Sequence, residues 1–184
     1  MNAFPSKFAW LDKIPADTLP KLWVEARRHY GLLEVPGPKN NPEIMQWAKE
    51  VGASGYYGAD LIPWCGLFMA VIIKRAGYKV VNDPLASKNW ASFGNPILPG
   101  NEMFCDVLTF VRPGGNHVGL YIAESKTEFL VYGGNTADSV GFAWIAKNRL
   151  IHAGRCPWKI GQPAAIKKYY MERDSTDLIS TNER

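Results

Sequence analysis

Apolar residues change their rhythm about halfway along the chain. Up to residue 77 they recur every three or four positions or gather in longer blocks, and from Asp106 onward they alternate. That separates a helical half from a stranded half. Leu22, Trp23, Ala26 and Tyr30 mark a helix from Pro20 to Tyr30, with Gly31 where a C-terminal stop belongs. A second helix begins at Asn41-Pro42-Glu43, a cap followed by proline at the first helical position and an early acid. Its Ile44, Met45, Trp47, Ala48 and Val51 can face a core before Gly52. A third starts near Pro63 or Trp64 and runs to Ala76. Leu67 to Ile73 is apolar nearly all round and Gly77 closes the run, so this helix is expected to be buried on most sides.

A short helical or irregular piece around Trp90 leads to period-two segments at Asp106 to Val111, His117 to Ile122, Phe129 to Tyr132, Val140 to Ala146 and Leu150 to Arg155. Pro113-Gly114-Gly115-Asn116 is turn chemistry. In the strand that follows, Val118, Leu120 and Ile122 share one face, while His117, Gly119 and Tyr121 share the other. Helices first and an antiparallel meander afterwards predict an α+β fold. Residues 1–19 read as an N-terminal extension and 20–163 as the one domain. Residues 164–184 read as a polar C-terminal segment, a loosely held helix or tail.

Length and composition narrow the function classes. At 184 residues and 47% apolar, the chain can bury one substantial core. Its net charge of +4 is too weak and dispersed to argue for nucleic acid, although it suits approach to an anionic surface. No stretch nears the roughly 18 apolar residues of a membrane span, and MNAFPSKFAW lacks the apolar core of a signal peptide. A soluble chain made in the cytoplasm, without stable membrane insertion, is the expectation. Cys65, Cys105 and Cys156 are an odd number, too few for a disulfide framework, and no pair has the spacing of a metal knuckle. At least one thiol is therefore free in a monomer, the expected state, and no metal is expected.

Three residues form a candidate constellation. Cys65 sits at the start of the buried helix, where unpaired N–H groups and the helix dipole favour a thiolate. His117 opens a strand after the Gly-rich turn. Asn135 ends Gly133-Gly134-Asn135 after the next strand and can bring an amide to the imidazole. Taken singly, each has a plain alternative: a small core cysteine, an exposed turn histidine, an asparagine making a turn. Their order and placement together are far more specific. His29, at a helix end, and His152, in a late strand without an adjacent motif, are weaker candidates.

The runs Asp60-Leu-Ile-Pro-Trp-Cys65-Gly-Leu-Phe, Asn116-His117-Val118-Gly119-Leu-Tyr121 and Tyr132-Gly-Gly-Asn135 resemble the three signatures of CHAP and NlpC-type cysteine peptidases and amidases. They are most similar to a compact branch found in phage lysins. Gly31-Leu-Leu-Glu34-Val-Pro-Gly37 with Asn41-Pro42 also resembles that branch, so the likeness spans about residues 20–158. It implies a papain-like fold, with the nucleophile at the start of a buried helix packed on an antiparallel sheet. It further implies Cys65 as nucleophile, His117 as base, Asn135 as the orienting residue, bacterial peptidoglycan as substrate and no cofactor. Asp60 and Trp64 are candidate substrate-side residues that shape the cleft, with a core anchor the stronger alternative for Trp64. Glu34 is either a substrate-side or a structural carboxylate. One departure is visible: Cys105-Asp106 stands where the family usually has Gly-Asp, and Cys105 is taken as structural. The setting implied is a phage endolysin acting on the wall after release. The alternatives are an antibacterial amidase toxin delivered by a secretion system, or a non-catalytic virion or wall-binding protein of the same fold.

Overall fold

A computed structural model describes residues 2–158 and 160–181. Three α-helices, α1 (Lys21–Ala26), α2 (Pro42–Glu50) and α3 (Cys65–Arg75), precede a six-stranded antiparallel sheet, so the fold is mixed α+β. Its strands are β1 (Asn95–Pro96), β2 (Val107–Arg112), β3 (Gly115–Glu124), β4 (Glu128–Thr136), β5 (Ser139–Ala146) and β6 (Leu150–Arg155), in the order β1-β6-β2-β3-β4-β5. Helix α3 packs chiefly on β4 and β3.

The helices follow their local chemistry. In α2, the Asn41 side chain accepts the Glu43 N–H at 2.8 Å and Pro42 occupies the first turn. The first helix is shorter than its pattern suggests, because its last turn tightens into a 3-10 turn at Arg27–His29 before Gly31, at φ +78°. Every residue of α3 from Cys65 to Ile73 is buried, as its all-round apolar run demands. Around Trp90 the chain forms a 3-10 turn, Ser87–Ser92.

Three boundaries differ from the sequence reading. Gly133-Gly134-Asn135 is not a turn after a strand but part of β4, where the pairing with β5 slips between Gly133 and Thr136. The extra residues form a bulge, with Asn135 at φ 57°. The turn proper falls at Ala137-Asp138, both also at positive φ. Residues 2–19, read as an extension, pack on the domain: a 3-10 run over Ser6–Lys13 brings Phe8 and Leu11 into the main core beside Phe4, and Phe142 meets Phe4 edge-on and Phe8 at a tilt. The end of the chain contains no helix among the described residues. Its backbone bonds to the sheet instead, Met171 N–H to the Glu124 carbonyl and Ser180 N–H to that of Trp144, each at 3.0 Å. Partners outside the segment satisfy groups that a helix would pair internally. No helix among the described residues is long and apolar enough to cross a membrane.

Candidate active site

Cys65 is the first residue of α3, and Trp64 before it supplies no side-chain cap. The leading N–H groups of a helix have no intrahelical acceptor and carry its positive dipole end, so the thiol stands in a field that favours a negative charge. The backbone of this turn is pinned from outside: a Cβ on Gly66 would overlap the carbonyl oxygen of Pro84 and crowd that of Leu85. Only glycine lets the 84–87 segment lie on the helix start.

The sheet brings His117 to the same place. Both residues are only 1% exposed, and His117 acts on the thiol through its charge and a hydrogen bond. Burial pushes the Cys65 thiol up. The hydrogen bond and positive charge of His117, joined by the Ser87 hydroxyl and the Val118 backbone, outweigh it and bring the thiol down to about 7. In the geometry seen here the sulfur is bonded to Ser87 Oγ, 3.1 Å away. Nδ1 of His117 is buried without a hydrogen-bond partner. Nε2 faces Gly133, 3.5 Å from where a Cβ would stand.

The two glycines before Asn135 thus have separate tasks. A Cβ on Gly133 would press the Val118 carbonyl oxygen at 3.3 Å and make only ordinary contact with the imidazole, whereas Gly134 leaves room for Trp64 and Phe68: a Cβ there would stand 2.7 Å from Trp64 Cζ3 and 2.6 Å from Phe68 Cβ. Asn135 is buried on β4, the strand next to that of His117. The orienting bond expected from it is not made to Nδ1.

Asp60 and Trp64, read as candidate substrate-side residues, are both buried and committed to the fold. The Asp60 carboxylate accepts the N–H groups of Val35 and Asn41 at 2.9 and 2.7 Å, which staples the loop before α2. Trp64 packs among Trp47 and the core and donates Nε1–H to Glu34 at 3.2 Å. Both hold the segments around the start of α3. Glu34 is half-buried. Burial pushes its carboxyl up and the Trp64 N–H pulls it down, while Asp138 and Asp60 push it up further.

No protein-family model matches the chain, and no curated protein matches its sequence.

The remaining thiols lie elsewhere and behave oppositely. Burial, with Cys156 and Asp106 nearby, pushes Cys105 well up, and burial with Asp106 raises Cys156 to about 12. His29 is held between Glu43 at 2.8 Å and Arg75 at 3.1 Å, tying α2 and α3 together. Among the described residues no three His, Cys, Asp or Glu side chains are grouped to hold a metal ion. One member of the site was not legible beforehand. Ser87 follows an irregular Asn-Asp-Pro stretch and carries no motif or periodicity that singles it out. What the cluster can do chemically is nucleophilic attack: a thiol brought down to about 7 with an imidazole beside it, at a helix start whose N–H groups can receive a developing oxyanion.

Proposed function

We propose that this chain is a papain-like cysteine hydrolase that cleaves an amide bond of bacterial peptidoglycan, a peptidase or amidase of the CHAP and NlpC kind. The observation that carries the reading is the contrast among the thiols: Cys65 alone is brought down to about 7, beside His117, while Cys105 and Cys156 are pushed up. The motif resemblance supplies the substrate class, and the modest positive charge of the chain suits an anionic wall.

In this reaction the Cys65 proton passes to His117. The sulfur lone pair attacks the amide carbonyl, and the tetrahedral oxyanion is received by N–H groups at the start of α3. His117 then protonates the leaving nitrogen as the C–N bond breaks, leaving a thioester on Cys65. Water, losing a proton to His117, attacks the thioester, releases the new carboxylate and restores the thiol. Asn135 is the residue proposed to steady the ring as its charge changes.

Turbidity of permeabilised bacterial cells tests the assignment. Wild-type protein and Cys105→Ser should clear the suspension, whereas folded Cys65→Ala should not. Clearing by Cys65→Ala would remove Cys65 from the mechanism. Failure of every version to clear cells would favour a wall-binding protein without turnover.

A further inference from the structure

We propose that Ser87 is a working member of the site, its hydroxyl donating a hydrogen bond to the Cys65 thiolate and holding the sulfur ready to attack. This inference rests on the reading of Cys65 as the nucleophile.

The geometry is direct. Ser87 Oγ stands 3.1 Å from Sγ, and among the described residues the sulfur is its one side-chain partner. A thiolate can only accept, so once Cys65 is ionised the hydroxyl must be the donor. The backbone segment that carries it is also braced. The Ala86 N–H bonds the Asp83 carbonyl at 3.2 Å, Asn89 Nδ2 bonds the same carbonyl at 3.0 Å, and Trp90 Nε1 bonds that of Pro84 at 2.9 Å. The absence of a Cβ on Gly66 seats this braced strap against α3. A donor fixed before the reaction begins stabilises charge without reorganising. Ser87 is half-buried where Cys65 is almost wholly so.

The titratable side chain that acts on the thiol from another element is His117 on β3; Tyr57, in the loop before α3, is itself pushed up by burial and in small part by Cys65, and its hydroxyl donates to the Ile62 carbonyl at 3.2 Å. His117 acts through its charge and a hydrogen bond, and Ser87 adds a neutral donor from a separate segment. Removing the Ser87 hydroxyl should therefore raise the thiol pKa without abolishing the pair. Hydrolysis should fall on the acid side of the pH profile and recover at alkaline pH, where the thiolate forms regardless. A purely structural role would lower the rate at every pH.

The test is ultraviolet titration of the thiolate in the full-length protein. Because Cys105 and Cys156 are pushed far up, the signal between about pH 5 and 9 belongs to Cys65, which Cys65→Ala verifies by removing it. Wild type should titrate near 7. Ser87→Ala should shift the midpoint up by about one unit, the scale of one hydrogen bond to a charged group. Ser87→Thr and Ser87→Val have the same shape and differ only in the hydroxyl; Thr should stay near wild type and Val should shift. Equal midpoints for this pair, with wild type near 7, overturn the Ser87 proposal and leave the nucleophile reading standing. A wild-type midpoint at the ordinary thiol value would overturn both.

Discussion

Cys65 and Cys105 are equally buried, each 1% exposed, and their surroundings move their protons in opposite directions. Cys105 lies just before β2, where its N–H bonds the Tyr121 carbonyl at 2.8 Å and its neighbours are Cys156 and the carboxylate of Asp106. Arg155 is spent on that carboxylate, 2.8 Å away at two nitrogens. Nothing in this region welcomes a second negative charge. At the start of α3 the sulfur meets an imidazole, a hydroxyl and a backbone donor. Burial is common to both regions; donors and a cation decide which thiol can act.

The comparison can be pressed hardest with iodoacetamide on native protein near neutral pH. Cys65 should be about half ionised and Cys156, at about 12, some 10⁵-fold less so. Peptide mapping should find the label on Cys65 while Cys105 and Cys156 remain unmodified until the protein unfolds. Labelling of Cys65 should rise with pH through about 7, because its depressed pKa leaves thiolate above that point and thiol below it. Equal labelling of all three cysteines in folded protein would erase the contrast.

Removing His117 should make the first region resemble the second. His117→Ala takes away the largest opposing influence on the buried thiol and the general acid, and hydrolysis should fall by about 10²–10⁴-fold. Asn135→Gly is a gentler cut. Glycine accepts the positive φ of the bulge, so the side chain is removed with little backbone cost. If its amide meets the ring during turnover, the rate should drop by roughly 10- to 150-fold, the worth of one bond to a charged group. An unchanged rate would make Asn135 a bulge residue only. The smallest effect concerns stability. Gly134→Ala drives a methyl against Trp64 and Phe68 and should destabilise by about 1–3 kcal/mol, measured by denaturant unfolding; no loss would mean that the helix start shifts freely against β4.

Much of this was legible in the sequence where one interaction dominates locally. The cap and proline of α2, the all-round apolar run of α3 and the alternation in β3 each constrain a single element. Gly133-Gly134-Asn135 misled because glycines signal turns in isolation. Here they are a bulge inside β4, and the side chain missing at Gly134 would collide with the Trp64 indole just before α3 and with Phe68 on that helix. The chain ends misled for a related reason. Phe4, Phe8 and Leu11 show no regular period because they lie on 3-10 and irregular backbone, and the polar end gains its order from carbonyls of the sheet. Ser87 could not be found at all, since its meaning comes only from where a folded strap sets it. Asp60 and Trp64 were visible as neighbours of Cys65, but their commitment to Val35, Asn41 and Glu34 depends on tertiary contact.

The most direct measurement is mass spectrometry of fragments released from purified peptidoglycan by wild-type protein and by folded Cys65→Ala. The account predicts soluble fragments with a new free amine and a new carboxylate from the wild type, identifying the bond cut, and none above background from Cys65→Ala. Intact peptidoglycan after wild-type treatment, or the same fragments from Cys65→Ala, would contradict it.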